Sequence, residues 1–170
     1  MIRGYDGKRP VLGRGVFIAE TCAVIGDVVV GDESSIWYGV VVRGDVMPIR
    51  IGARTSIQDN SVVHVTAGFS GTTIGDDCTV GHNAIIHACT VEDLCLIGMG
   101  AILLDGAHVG RGSLVGAGAL VTPGTDIPPG SLVIGAPAKV KRPLNENERE
   151  QIRHGAAHYV ELTRRYLAAE

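Results

Sequence analysis

A branched aliphatic residue recurs every six positions along most of this chain. It stands at Leu12, Ile18, Val24, Val30, Ile36 and Val42, then at Ile51, Ile57 and Val63, and again at Ile74, Val80 and Ile86. After one step that is a residue short, the run continues through Val91, Ile97, Leu103, Val109, Val115, Val121, Ile127 and Val133, which makes twenty units. Insertions interrupt it at DVMP and within TAGFSGTT, and both are expected to be loops at corners of the fold. The fifth place of the units admits only small or β-branched residues, from Val16 and Cys22 to Thr125 and Ser131. A large aliphatic and a small inward position in every six predict short strands that fill a narrow core. Glycine at the second place of eight units, Gly13 and Gly52 among them, lets the chain turn or approach its neighbour closely. No helix fits this pattern and simple hairpins do not explain a strict period of six, so the repeat predicts a solenoid.

Beyond GAPAKVKRP the pattern changes. Asn145 followed by Glu148 forms a capping box, and Ile152, Ala156, Tyr159, Thr163 and Leu167 fall on a helical stripe. A helix over 144–168, lying along the solenoid, is expected.

Composition narrows the picture. A chain of 170 residues, 45% hydrophobic, is long enough for a single domain over 1–170, with the repeat covering 12–138. The net charge of -3, with both signs interspersed, shows neither a nucleic-acid footprint nor a polybasic membrane patch. The expected partner is a small molecule or a second copy. The first residues, MIRGYDGKRP, lack the apolar segment of an export signal, and no apolar run is long enough to span a membrane, so a soluble cytoplasmic protein is expected. Cys22, Cys78 and Cys95 occupy the small fifth place and Cys89 the shortened step, which predicts reduced, packed thiols rather than thiol chemistry.

The repeat resembles the hexapeptide-repeat family over roughly 12–138. That resemblance implies a left-handed parallel β-helix, with three hexapeptides per turn and a triangular section. The same prism carries acyltransferases, metal enzymes and scaffolds, so it does not fix function.

Bulky polar residues at the second place supply candidate chemistry: Arg43, Gln58, His64, His87 and Glu92. If units three apart stack, Arg43, His64 and His87 form a column on successive coils about 4.8 Å apart. Two stacked imidazoles could then bend toward one metal, with bonds of about 2.0–2.1 Å. On the neighbouring face Asp59 and His82 share the third place and stack in the same way. His82 lies around a corner from His87, up to about 16 Å away along an extended path. A second copy is therefore expected to bring His82 to the other two histidines, and cyclic packing of three prisms gives a homotrimer with three equivalent sites.

RGD at 43–45, QDNSVVH at 58–64 and GHNAIIH at 81–87 resemble the γ-class carbonic anhydrases. The resemblance implies that His64, His82 and His87 bind Zn2+, or alternatively Fe2+ or Co2+, at trimer interfaces. It further implies that Arg43, Asp45 and Asp59 form an intersubunit salt-bridge network, that Gln58 lies beside the reacting water, and that CO2 is hydrated to bicarbonate. Three neutral imidazoles with one open position are the ligand set of a catalytic zinc, which lowers the pKa of water to about 7. Arg43, Asp45 and Asp59 could equally serve assembly alone. Tyr159 is a candidate for the pocket wall or for packing, Trp37 and Tyr38 read as packing, and His108, His154 and His158 read as solvated.

One departure bears on rate. Fast members of the family carry glutamates after RGD and in the loop after the first histidine; here Val46 and VTAGFSGT offer neither acid nor histidine. Two other readings stay open at this point. One is an acyltransferase with a histidine base and a pantetheine slot lined by 66–72; the other is a trimeric scaffold whose metal is structural.

Overall fold

Strands mostly two or three residues long, laid down about every six residues, wind into a left-handed triangular prism. The computed structural model describes residues 1–169. Each face of the prism has seven parallel rungs. The first face holds Phe17–Ile18, Ser35–Ile36, Ser56–Ile57, Thr79–Val80, Leu96–Ile97, Leu114–Val115 and Ser131–Gly135, and an antiparallel strand, Ala138–Pro143, closes it. The second, here called the histidine face, includes Val62–His64, Ile85–His87, Ile102–Leu103 and Leu120–Val121. The third includes Val11–Leu12, Thr72–Ile74, Thr90–Val91, His108–Val109 and Asp126–Ile127.

Ala23–Val30 and Val41–Ile51 run continuously from the histidine face onto the third. The DVMP insertion lies inside the second of these strands. It sits at the expected corner, but inside a continuous strand rather than as a free loop: residues 45–48 stand opposite Asp27 alone, where the register against Ala23–Val30 shifts between Gly26 and Val28. Elsewhere the register follows the period. Val42 pairs with Val63, Val63 with Ile86, Ile86 with Leu103 and Leu103 with Val121.

The periodic residues fill the prism. Eighteen of the twenty are buried, and the two partly exposed ones, Leu12 and Ile18, sit at the N-terminal end. Fifth-place hydroxyls tie coil to coil: Ser34 Oγ donates to the Gly52 carbonyl at 2.7 Å, Thr55 Oγ1 to Gly75 at 2.7 Å and Ser61 Oγ to Gly81 at 2.9 Å. All four cysteines are buried and free, and burial pushes the Cys89 thiol up to about 12.

Second-place glycine belongs to particular faces. The third face carries Gly13, Gly31, Gly52, Gly75 and Gly110, where successive coils close in; a Cβ on Gly52 would stand 2.5 Å from the Gly75 carbonyl carbon. The histidine face carries none, its column reading Ile25, Arg43, His64, His87, Leu104 and Thr122. Large side chains at that corner are the rule.

A helix, Glu146–Leu167, starts two residues inside the expected range. Asn145 and Glu148 form its capping box, with reciprocal bonds of 2.9 Å. Ile152, Ala156, Val160 and Thr163 are buried, and the helix meets strands of the first face. Trp37, only 4% exposed, packs there with ring centroids 5.9 Å from Tyr159 and 5.1 Å from Tyr166, and its Nε1 donates to Ser35 and Ser56. No helix among the described residues is long and apolar enough to cross a membrane.

Candidate metal centre

His64 and His87 stand opposite one another on adjacent coils, with His64 Nδ1 3.2 Å from His87 Nε2. The far nitrogen of each ring faces a carboxylate: His64 Nε2 lies 3.3 Å from Asp45 Oδ1, and His87 Nδ1 lies 2.7 Å from Asp105 Oδ1. A carboxylate accepts, so it holds the N–H on the far nitrogen and leaves a lone pair on the near one. The two near nitrogens, 3.2 Å apart, are then placed to share either a proton or a cation. Two nitrogens on one tetrahedral ion, bonded at about 2.0–2.1 Å, stand about 3.3–3.4 Å apart. The observed gap fits.

Electrostatics favour a neutral His64 and ionised Asp45 and Asp105. Burial lowers the pKa of His64 and favours the neutral ring a metal requires. Burial opposes ionisation of Asp45, yet hydrogen bonds from Arg43 and His64 prevail and keep its carboxyl below the usual range. Hydrogen bonds from Thr66 and His87 do the same for Asp105, with Thr66 Oγ1 donating to Asp105 Oδ2 at 2.6 Å.

The remaining candidates gather at the other edge of the histidine face. His82 Nδ1 lies 2.8 Å from Asp59 Oδ2, the stacking expected of their shared third place, and Nε2 is left available as a ligand. Gln58, 4% exposed, precedes Asp59, and its backbone N–H donates to the Val80 carbonyl. Tyr159 is half-buried, and burial and then the charge of Asp59 raise its hydroxyl pKa, which places it on this side. Arg43, at the first edge, bonds Asp45 within the same chain.

Within one chain the structure thus brings together Arg43, Asp45, His64 and His87, and separately Gln58, Asp59 and His82. Among the described residues no group of three or more His, Cys, Asp or Glu side chains is placed to hold a metal ion. Between the two edges the outward column of the face is aliphatic: Ala23, Val41, Val62, Ile85, Ile102 and Leu120 in register, with Ile85 36% exposed.

Asp105 and Thr66 are the polar groups that the sequence pattern does not single out. Asp105 holds the third place of the coil after His87, so the register Ile86 to Leu103 was the available signal. His108 differs from the solvated imidazole expected of it: Asp126 clasps Nδ1 at 2.7 Å and Glu92 clasps Nε2 at 3.1 Å, because all three project from neighbouring coils of the third face. His154 is exposed beside Glu150, and His158 lies edge-on to Tyr159.

Comparison with known proteins matches residues 9–44 to the bacterial transferase hexapeptide repeat, and residues 48–88 and 89–123 to the hexapeptide repeat of succinyl-transferase. The chain is 47% identical to the carbonic anhydrase of Geobacillus kaustophilus, over all of this chain and 93% of that protein. It is 49% identical to the mitochondrial gamma carbonic anhydrase 2 of Arabidopsis thaliana. The chain belongs to the γ-carbonic anhydrase family. The match to the Arabidopsis member covers 91% of this chain and 58% of that protein's own length. Among solved structures, a candidate acetyltransferase from Bacillus cereus superposes with a TM-score of 0.97 at 43% identity, covering 100% of this chain and 98% of the other.

Proposed function

We propose that this chain is a γ-type carbonic anhydrase, hydrating CO2 reversibly to bicarbonate at metal sites between the subunits of a homotrimer. The observation that supports this best is the pair of facing ring nitrogens on His64 and His87, 3.2 Å apart, with a carboxylate behind each ring. Cyclic packing lays one edge of the histidine face against the opposite edge of a neighbour. That closure joins His64 and His87 of one subunit to His82 of the next and buries the aliphatic column between the edges.

Imidazole nitrogens suit Zn2+, and accept Fe2+ or Co2+. His64, His82 and His87 would hold such an ion, whose chemistry would be to lower the pKa of a water to about 7 and so provide a nucleophile at neutral pH. Asp45, Asp59 and Asp105 keep the three rings in the ligand tautomer and raise their basicity. Arg43 positions Asp45. Gln58, beside Asp59 and His82, orients the attacking water or a CO2 oxygen through its amide, and Tyr159 closes the wall on that side. The proton released in each turnover meets no acid at Val46 or along 65–72, so turnover is slow and rises with added buffer. Four free, buried cysteines suit a reducing compartment such as the cytoplasm.

Stopped-flow CO2 hydration, before and after metal removal and reloading, tests this reading. Activity that disappears with the metal and returns on reloading supports it. The acyl-transfer reading draws on the Bacillus cereus neighbour; acetyl-CoA turnover that persists without metal, with no hydration, would replace the proposal.

A further inference from the structure

The prism edge opposite the histidine face, between the third face and the helix-covered first face, carries a ladder of opposite charges. Arg14 pairs with Asp32, Arg54 with Asp77 and Arg111 with Asp93, each on a neighbouring coil. The helix lies over this edge and encloses a cleft of about 190 Å3, lined by Leu94, Arg111, Gly112, Arg149, Ile152 and Arg153. Three guanidiniums line it and no carboxylate does.

Two of the three are already committed in part. Arg111 meets Asp93, and Arg153 meets Glu146 and Glu150, all acids outside the lining. Arg149 differs. It is half-buried, and its guanidinium makes no ion pair or side-chain hydrogen bond among the described residues. Its terminal nitrogens rest over Gly130, 3.3 Å from where a Cβ would stand, so the absence of a side chain there makes room for them. A half-buried cation with five unused donors, beside two further guanidiniums and an apolar floor of Leu94 and Ile152, is strongly disposed to bind an oxyanion.

We propose that this cleft binds a phosphate group, free or at the end of a phosphomonoester, with Arg149 as the anchoring cation. Several guanidiniums lining one cleft match the charge and the several acceptor oxygens of a phosphate dianion better than those of a monoanionic carboxylate. A second cleft shares Leu94 and Arg153 and continues along Ala156, Ala157 and Val160, with the Arg54–Asp77 pair and Glu161 beside Arg164 at its polar rim, and has room for the organic part of an ester. The site lies on the prism edge away from both histidine clusters, so the inference rests on the fold and is independent of the metal chemistry.

The test is calorimetric titration of the assembled, metal-loaded protein with inorganic phosphate, in a buffer free of other oxyanions. Acetate and a ribose phosphate serve as comparison ligands. Saturable binding at one phosphate per chain is expected, weakened at least about tenfold in Arg149→Gln by loss of the charge-assisted bonds. That variant keeps length and helix propensity. Arg149→Lys, which retains the charge without the fork, is expected to bind with intermediate affinity, and Arg165→Ala, on the last turn outside the cleft, to bind as the parent does. A ribose phosphate that binds more tightly than phosphate assigns the site to an ester; equal affinities assign it to the free ion. Binding no stronger than that of acetate, or affinity unchanged in both Arg149 variants, overturns the proposal.

Discussion

Asp105 Oδ1 lies 2.7 Å from His87 Nδ1, across one coil of the solenoid, while its other oxygen accepts from Thr66. Asp105 thereby settles which nitrogen of His87 carries the proton. Replacing it with Ala frees the ring to rotate and change tautomer, and Asn in its place can present an N–H to Nδ1 and enforce the wrong one. Both Asp105→Ala and Asp105→Asn are expected to weaken metal binding by about 10–100-fold. Competition titration against a chelator measures this, and affinity equal to the parent's would remove Asp105 from the site.

Packing of the coils makes a second prediction. Ile97 is fully buried in the central column, and Ile97→Ala is expected to cost about 2–5 kcal/mol, from lost transfer energy and the cavity left behind. At Gly52 the direction of the size change is opposite. A methyl there stands 2.5 Å from the backbone of the next coil, so Gly52→Ala is expected to destabilise by about 1–3 kcal/mol through overpacking. Denaturant unfolding of the two variants checks both figures.

His108 provides a pH dependence. The bond to Asp126 raises its pKa, burial opposes, and Glu92 adds to the rise. A raised pKa means that the folded state holds the proton more tightly than the unfolded chain. The stabilisation is complete below the unfolded value of about 6.5 and is lost as pH rises through the higher folded value. The stability difference between the parent and His108→Gln is therefore expected to be larger at about pH 6 than at about pH 9. The effect is small and salt-sensitive at so exposed a pair. A difference that stays constant across that range contradicts the assignment.

Much of this architecture is legible in the sequence because a solenoid repeats one local solution. Val42, Val63 and Ile86 could be stacked on paper, since each coil sees the same neighbours at the same spacing, and His64 meets His87 for that reason. Other features needed coordinates. The sequence presents Arg43, His64 and His87 as exceptions to glycine at the second place, whereas glycine is needed only at corners where coils crowd, as Gly52 against Gly75. The DVMP insertion is legible as an interruption at a corner, but not its strand character, because a bulged strand can absorb extra residues there. Asp105 and Thr66 meet across 39 positions of chain, through an insertion that breaks the period. The separation of His82 from the other two histidines, by contrast, follows from the repeat, because its unit, led by Val80, lies on the first face, around a corner from theirs.

The measurement that bears most directly on shared sites is metal binding by mixed assemblies. His82→Ala alone and the double variant His64→Ala/His87→Ala alone are each expected to form trimers that bind no metal tightly. When the two are refolded together, about a quarter of the interfaces combine an intact His64 and His87 with an intact His82, and metal content and hydration activity are expected to return to about that fraction. Metal retained by His82→Ala alone, or no recovery in well-mixed trimers, would contradict a site divided between subunits.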